Sequence, residues 1–127
     1  MSEAVFDTSI LVDHLRNFKA ATNLMEQVKN GFISGYISVI TLAELLAGKD
    51  AESPAKRELL ENLLSLFTKI EVSEEIAKTA GEIRRRYSTN IIDAVIAATA
   101  VSLRCPVLTQ NTKDFSKIKE ITAEKPY

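Results

Sequence analysis

The sequence predicts an α/β fold in three layers, with a central, mainly parallel sheet flanked by helices on both faces. Three observations point there. Strand-like apolar runs of about four or five residues alternate with helical patterns along the whole chain. Residues 88–102, STNIIDAVIAATAVS, are apolar or small at nearly every position after Asn90, as in a helix buried on most of its surface. No repeat, low-complexity tract or linker interrupts the 127 residues, so one domain spans 1–127.

The elements follow in order. Ala4 to Asp7 is an apolar run ending on an acid, read as a buried first strand. Thr8 or Ser9 caps a short helix over about 10–16. A second helix covers about 19–29, with Ala21, Leu24, Met25 and Val28 on one stripe and Gly31 as its stop. Phe32 to Ser38 is strand-like, although Gly35-Tyr36 weakens the pattern. A helix over about 42–47 stops at Gly48, and Lys49 to Ser53 is a polar turn. Pro54 opens a helix to about Ser65, with Leu59, Leu60, Leu63 and Leu64 as its stripe. Phe67 to Val72 forms a strand. Ser73 caps a helix to about Tyr87, against the amide of Glu75 or Ile76. Asn90 caps the buried helix. Pro106 to Thr109 is a strand, and a last short element lies around 118–123.

Composition narrows the setting. A formal net charge of −1 advertises no bulk attraction to nucleic acid, although neutralising a few carboxylates with bound cations would make the balance positive. The single cysteine, Cys105, has no disulfide partner within the chain and reads as a small buried apolar residue, which suits a reducing compartment. No apolar run approaches the roughly 20 residues of a membrane span, and MSEAVFDTS lacks the basic and apolar regions of a signal peptide. These features predict a cytoplasmic protein with no membrane partner.

Four acids stand apart. In parallel sheets the functional crevice lies beyond the carboxyl ends of the strands, where strand order reverses, and Asp7 ends the first strand. Glu44 lies one turn into a helix within TLAELLAG, Asp93 in the first turn of the buried helix, and Asp114 after the 107–109 strand in QNTKD. Helix capping competes for each of them. Thr41-Leu-Ala-Glu44 has capping-box spacing, and Asn90 to Asp93 and Asn111 to Asp114 repeat it. As a set, however, carboxylates sharing one crevice repel one another unless cations occupy it. Hard oxygen donors without clustered histidine or cysteine select Mg²⁺ or Mn²⁺, as one or two ions, over structural zinc. His14, the only histidine, reads as a surface or helix-packing residue.

FDTSILVD at 6–13, ITLAELLAG at 40–48, IIDAVIAATA at 91–100 and VLTQNTKDF at 107–115 resemble, in order and spacing, the signature segments of the PIN-domain ribonucleases. The nearest subgroup is the VapC-type toxins of prokaryotic toxin-antitoxin pairs. The resemblance implies a three-layer PIN-like domain and a carboxylate pocket that binds divalent metal and hydrolyses RNA phosphodiester bonds. Asp7, Glu44, Asp93 and Asp114 match its four acids. By the same resemblance, Thr8 or Ser9 and Thr109 or Asn111 add polar contacts.

Asp7 and Asp93 would be direct or water-mediated metal ligands, Glu44 a ligand or the base that positions the attacking water, and Asp114 the completion of a second position. Water attack would leave a 5′-phosphate and need no 2′-hydroxyl, so RNA specificity must come from shape, unstacked bases or 2′-hydroxyl contacts elsewhere. Arg84, Arg85 and Arg86, the densest basic run, are candidates to meet phosphate, followed by Lys49, Lys56 and Arg57, and by Lys113. The resemblance also implies a homodimer and a VapB-type antitoxin over the cleft. Leu45, Leu46 and the 59–64 stripe are candidate apolar surface for a partner, with core packing as their default role.

Other functions fit less well. A receiver-like signalling domain carries adjacent acids after its first strand, where this chain has Asp7-Thr8-Ser9. A haloacid-dehalogenase-like phosphatase needs an aspartate where Ser9 stands. A PIN-domain nuclease of RNA processing, or a noncatalytic RNA- or protein-interaction module, remains the alternative.

Overall fold

The computed structural model describes residues 2–127, with Asp50 described by its backbone alone. Five parallel strands form the sheet: β1 (Ser2–Phe6), β2 (Ile33–Ser38), β3 (Thr68–Ile70), β4 (Val107–Leu108) and β5 (Ala123–Glu124), in the order β3-β2-β1-β4-β5. The chain steps outward from β1 through β2 to β3, then returns to the other side of β1 with β4. Strand order therefore reverses at β1 and β4, and the crevice expected of such a sheet opens just past Phe6 and Leu108.

Among the described residues, seven α-helices surround the sheet: α1 (Thr8–Leu15), α2 (Lys19–Lys29), α3 (Val39–Leu46), α4 (Pro54–Leu64), α5 (Glu74–Tyr87), α6 (Ile91–Leu103) and α7 (Thr112–Phe115). Alternation along β1 divides the core. Ala4 and Phe6 pack with Ile10, Leu24, Met25, Leu45, Leu60, Leu63 and Leu64 on one face, while Val5 packs with Ile76, Ile83 and α6 on the other. Helix α6 fits its sequence: Ala94 through Ala100 are all buried. Ile96 is fully enclosed there, so trimming it to alanine would cost about 2–5 kcal/mol.

Gly35, which weakens the strand pattern, has a packing reason. A Cβ there would meet Cδ1 of Phe67 at 2.7 Å, and the Phe67 ring sits edge-on to Phe6 with centroids 5.0 Å apart. Gly31, at φ +81°, follows the end of α2 in the left-handed conformation that glycine adopts without strain.

Several boundaries differ from expectation. Helix α3 starts at Val39 because the Ser38 hydroxyl caps it, accepting from the Ile40 amide at 3.1 Å. Thr41 is consequently a fully buried residue inside the helix, and the Thr41–Glu44 capping box does not form. Helix α1 takes Asp7 as its N-cap residue without a side-chain capping bond, so neither Thr8 nor Ser9 is its cap. The polar turn after Gly48 contains a 3₁₀ segment over Lys49–Glu52, and the final strand sits at Ala123–Glu124 rather than 118–123. The Ser73 cap holds as expected, accepting from Ile76.

Leu45, Leu60, Leu63 and Leu64 are core residues, and only Leu59 of the 59–64 stripe is exposed, at 62%. The default role holds for these four, and Leu46 packs partly buried against the same cluster. Cys105 is half-buried against the α6 face, and burial pushes its thiol pKa up. His14 joins α1 to α2 through a 3.0 Å contact between Nδ1 and the Thr22 hydroxyl, and burial lowers its pKa. Among the described residues, no helix is long and apolar enough to cross a membrane.

Candidate functional site

Asp7 is the most enclosed of the four acids, at 6% exposure. The register that pairs Val5 with Val107 and Phe6 with Leu108 brings Thr109 beside it. The Thr109 hydroxyl donates to Asp7 Oδ2 at 2.8 Å, and the Ser9 hydroxyl donates to the same oxygen at 2.8 Å. Each hydroxyl is itself oriented by a backbone amide of the loop after β4: Gln110 N donates to Ser9 Oγ at 3.2 Å, and Asn111 N donates to Thr109 Oγ1 at 2.8 Å. One carboxylate oxygen is thereby fixed by two donors while the other, Oδ1, is left uncommitted among the described side chains.

The remaining acids are held more simply. Glu44 Oε1 accepts from the Thr8 hydroxyl at 2.6 Å, a short bond of the charge-assisted kind. Asp93 Oδ2 accepts from Asn90 Nδ2 at 2.9 Å while its backbone amide donates to Asn90 Oδ1 at 2.8 Å. Asn90 therefore caps α6 and orients its acid at once. Asp114 Oδ2 accepts from Asn111 Nδ2 at 2.7 Å, repeating the spacing at the head of α7.

These four carboxylates share a field. Burial pushes the Asp93 carboxyl above the ordinary carboxylate range, the Asn90 bond partly opposes that shift, and the charges of Asp7, Asp114 and Glu44 add to it. Among the described residues, no three Asp, Glu, His or Cys side chains already converge closely enough to enclose an ion. Asp93 feels the charges of the other three, and each acid is tethered to a hydroxyl or an amide.

Clefts adjoin the acids on two sides. One, of about 200 Å³, is lined by Asp93, Asp114, Lys117 and residues 88–90. The other is a groove of about 750 Å³ between α1, α3 and α4, lined by Thr8 and Glu44, by Leu45, Leu59 and Leu60, and by Arg16, Lys49 and Lys56. The candidate basic contacts are distributed unevenly. Arg84 donates from Nη1 to the Thr89 carbonyl at 3.2 Å, beside the acid cleft. Arg86 instead pairs with Glu120 at 3.0 Å, and Arg57 with Glu61 at 3.3 Å.

The PIN domain family model matches residues 4–121, which contain all four acids. The chain belongs to the PIN-domain family. Ribonuclease VapC19 of Mycobacterium tuberculosis is 33% identical over 129 residues, covering 97% of this chain and 98% of the relative. Ribonuclease VapC of Rickettsia bellii is 32% identical over 127 residues, covering 92% and 91%. Among solved structures, a toxin-antitoxin complex from Klebsiella pneumoniae contains a chain that superposes with a TM-score of 0.81 at 33% identity, covering 98% of each. The PIN-like architecture expected from the four sequence segments is thus the one observed, and the sheet expected to be mainly parallel is parallel at every described pairing.

The hydroxyl ties of the PIN site were only partly legible in sequence. Thr109 and Ser9 were candidates through the resemblance alone. That both would bond the same oxygen of Asp7 follows from the β1–β4 register, which local pattern does not encode. Gln110 carries no such signal in the sequence. Its backbone amide orients Ser9, and its side-chain amide donates to the Tyr127 carbonyl at 3.4 Å.

Proposed function

We propose that the chain is a divalent-metal-dependent endoribonuclease and the toxin of a toxin-antitoxin pair. The observation that carries this reading is the gathering of Asp7, Glu44, Asp93 and Asp114 at the reversal point of the sheet, where burial raises the Asp93 pKa and the charges of the other three acids add to that shift. Relatives named as VapC ribonucleases support the activity, and the resemblance of fold and sequence to a toxin-antitoxin complex supports the pairing.

The donor set fits a hard divalent cation. All four candidate ligands are carboxylates, and mutual repulsion is what a cation relieves. Asp7, Glu44, Asp93 and Asp114 would hold Mg²⁺ or Mn²⁺, as one ion or two. When bound, the metal supplies Lewis-acid polarisation of the phosphodiester and lowers the pKa of the attacking water. The protein supplies the rest. Ser9 and Thr109 lock Asp7 so that its free oxygen faces a fixed direction, Thr8 orients Glu44 to position or deprotonate water, and the two asparagines hold Asp93 and Asp114 without neutralising them. Direct water attack leaves a 5′-phosphate and a 3′-hydroxyl.

The groove beside Glu44 is the place for a VapB-type antitoxin. Its leucine wall suits an apolar face, and Arg16 and Lys49 suit acidic residues flanking that face. A segment seated there would cover Glu44 and hinder RNA.

The deciding experiment is cleavage of a mixed cellular RNA pool by purified, antitoxin-free protein with Mn²⁺ or Mg²⁺, beside an EDTA control and Asp93→Asn, with product ends mapped. Discrete metal-dependent cuts bearing 5′-phosphates, lost in the variant, are the expected result. A folded protein that binds RNA equally well with EDTA and cuts nothing under either metal would instead support a noncatalytic module.

A further inference from the structure

We infer that the turn joining α5 to α6 is a binding site for a second phosphate of the RNA strand, next to the one that is hydrolysed. The inference rests on the ribonuclease reading for its ligand, and on four features of the turn for its place. Thr89 is 5% exposed, and its buried hydroxyl has no hydrogen-bond partner among the described residues. Buried hydroxyls are ordinarily satisfied, so a donor stranded beside a cleft points to a partner that arrives from outside.

The same residue is tied to a cation. Arg84 Nη1 donates to the Thr89 carbonyl at 3.2 Å, which pins the guanidinium to the turn and leaves its other N–H groups for an anion. Helix α6, thirteen residues long, starts at Ile91, and the first amides of a helix lack intrahelical partners and carry its positive end.

The fourth feature is the division of charge between two clefts. Ser88, Thr89 and Asn90 line both the 200 Å³ cleft that contains Asp93 and Asp114 and a second cleft of about 430 Å³, whose other lining residue among those described is Arg84. One side of the turn is acidic and suited to a cation. The other, among the described residues, has one guanidinium and no carboxylate and is suited to an anion, with the orphan hydroxyl of Thr89 at the border of the two. A strand crossing the turn would place the scissile phosphate on the acid side and its neighbour against Arg84 and Thr89.

The test measures RNA binding apart from cleavage, by anisotropy of a labelled single-stranded RNA of mixed sequence in EDTA over a range of salt. Thr89→Val should bind about 10-fold more weakly, the loss of one hydrogen bond to a charged group, while its melting temperature stays level or rises. Thr89→Ser, which restores the hydroxyl, should recover most of that loss. Arg84→Gln should weaken binding and reduce the slope of log affinity against log salt by about 0.7, the share of one phosphate contact on a single strand. Wild-type binding and an unchanged salt slope in both Thr89→Val and Arg84→Gln would overturn the site. So would a loss in Thr89→Val that comes with a lower melting temperature and is not recovered by serine, which marks a packing defect. If wild-type protein cuts no RNA under any metal but these binding differences hold, the phosphate site stands and the hydrolysis reading fails.

Discussion

Asp7 and Asp93 reach the same edge of the sheet through opposite kinds of partner. Asp7 is gripped by Thr109, 102 residues away, as well as by Ser9, and it is almost wholly enclosed. Asp93, like Asp114, is held by an asparagine three residues earlier and is more open to the cleft. The first arrangement exists only once β1 and β4 have paired. The second is complete within one turn of chain. Asp7 is accordingly part of the fold as well as of the site, whereas Asp93 belongs to the site and burdens the fold.

Removing each acid should separate these roles. Asp7→Ala and Asp93→Asn are both expected to lower RNA cleavage by at least about 100-fold, the scale on which loss of one preorganised electrostatic group is felt. Their stabilities should move in opposite directions. Asp7→Ala strands the hydroxyl of fully buried Thr109 and should cost about 1–3 kcal/mol, lowering the melting temperature by several degrees. Asp93→Asn removes a charge that the fold disfavours and should melt at or above the wild type. Parallel losses of stability in the two variants would break the contrast.

Acidity sharpens it further. The Asp93 carboxyl is raised from an ordinary value of 3.8, chiefly by burial and then by the other three acids. Below that ordinary value the group is protonated in both folded and unfolded chains and affects neither. As pH rises through the elevated folded value, the native state must carry a charge the unfolded chain carries more easily, so its contribution to stability turns unfavourable. The stability advantage of Asp93→Asn should therefore be absent under strongly acidic conditions and grow toward neutrality. Under the metal-dependent reading, Mn²⁺ added at neutral pH should raise the melting temperature of the wild type more than that of the variant.

The second oxygen contact of Asp7 can be tested alone. Thr109→Val keeps the shape but removes both the donor to Asp7 and the acceptor for the Asn111 amide. Loss of a group that orients a metal ligand commonly costs 10- to 100-fold in affinity or activity, and an effect of about that size is expected in Mn²⁺ titrations of cleavage.

The contrast also explains what could be read from sequence. Features fixed within a turn or two were legible: α2 spans Lys19–Lys29 as its stripe and Gly31 indicate, Ser73 caps α5, and Asn90 caps α6. Features fixed by pairing across the sheet were not. The spacing of Thr41 and Glu44 imitates a capping box, but the start of α3 is set by where β2 ends, and Ser38 at that end takes the capping role. Gly35 weakens a strand pattern locally because its reason, the Phe67 ring, lies across the fold. Thr89 carries no signal at all in the sequence, since an orphan hydroxyl is defined by everything that fails to surround it.

The smallest expected effect lies between the two asparagines, which share a spacing but differ in duty. Asn90 has an extended backbone and its side chain accepts from the Asp93 amide, so it caps a thirteen-residue helix. Asn111 sits at φ −103° and ψ 53°, makes no side-chain capping bond, and precedes a helix of only four residues. Asn90→Ala should therefore cost about 1 kcal/mol in chemical denaturation, and Asn111→Ala no more than about 0.5 kcal/mol. Both variants release an acid from its amide, so both should weaken Mn²⁺-dependent cleavage, by less than about 10-fold, because the backbone of each aspartate stays in place. Equal stability losses would mean that α7 needs its asparagine as much as α6 does. The hold on Asp114 would then belong to the fold, as the hold on Asp7 does, and the division between long-range and local acids would not describe the site.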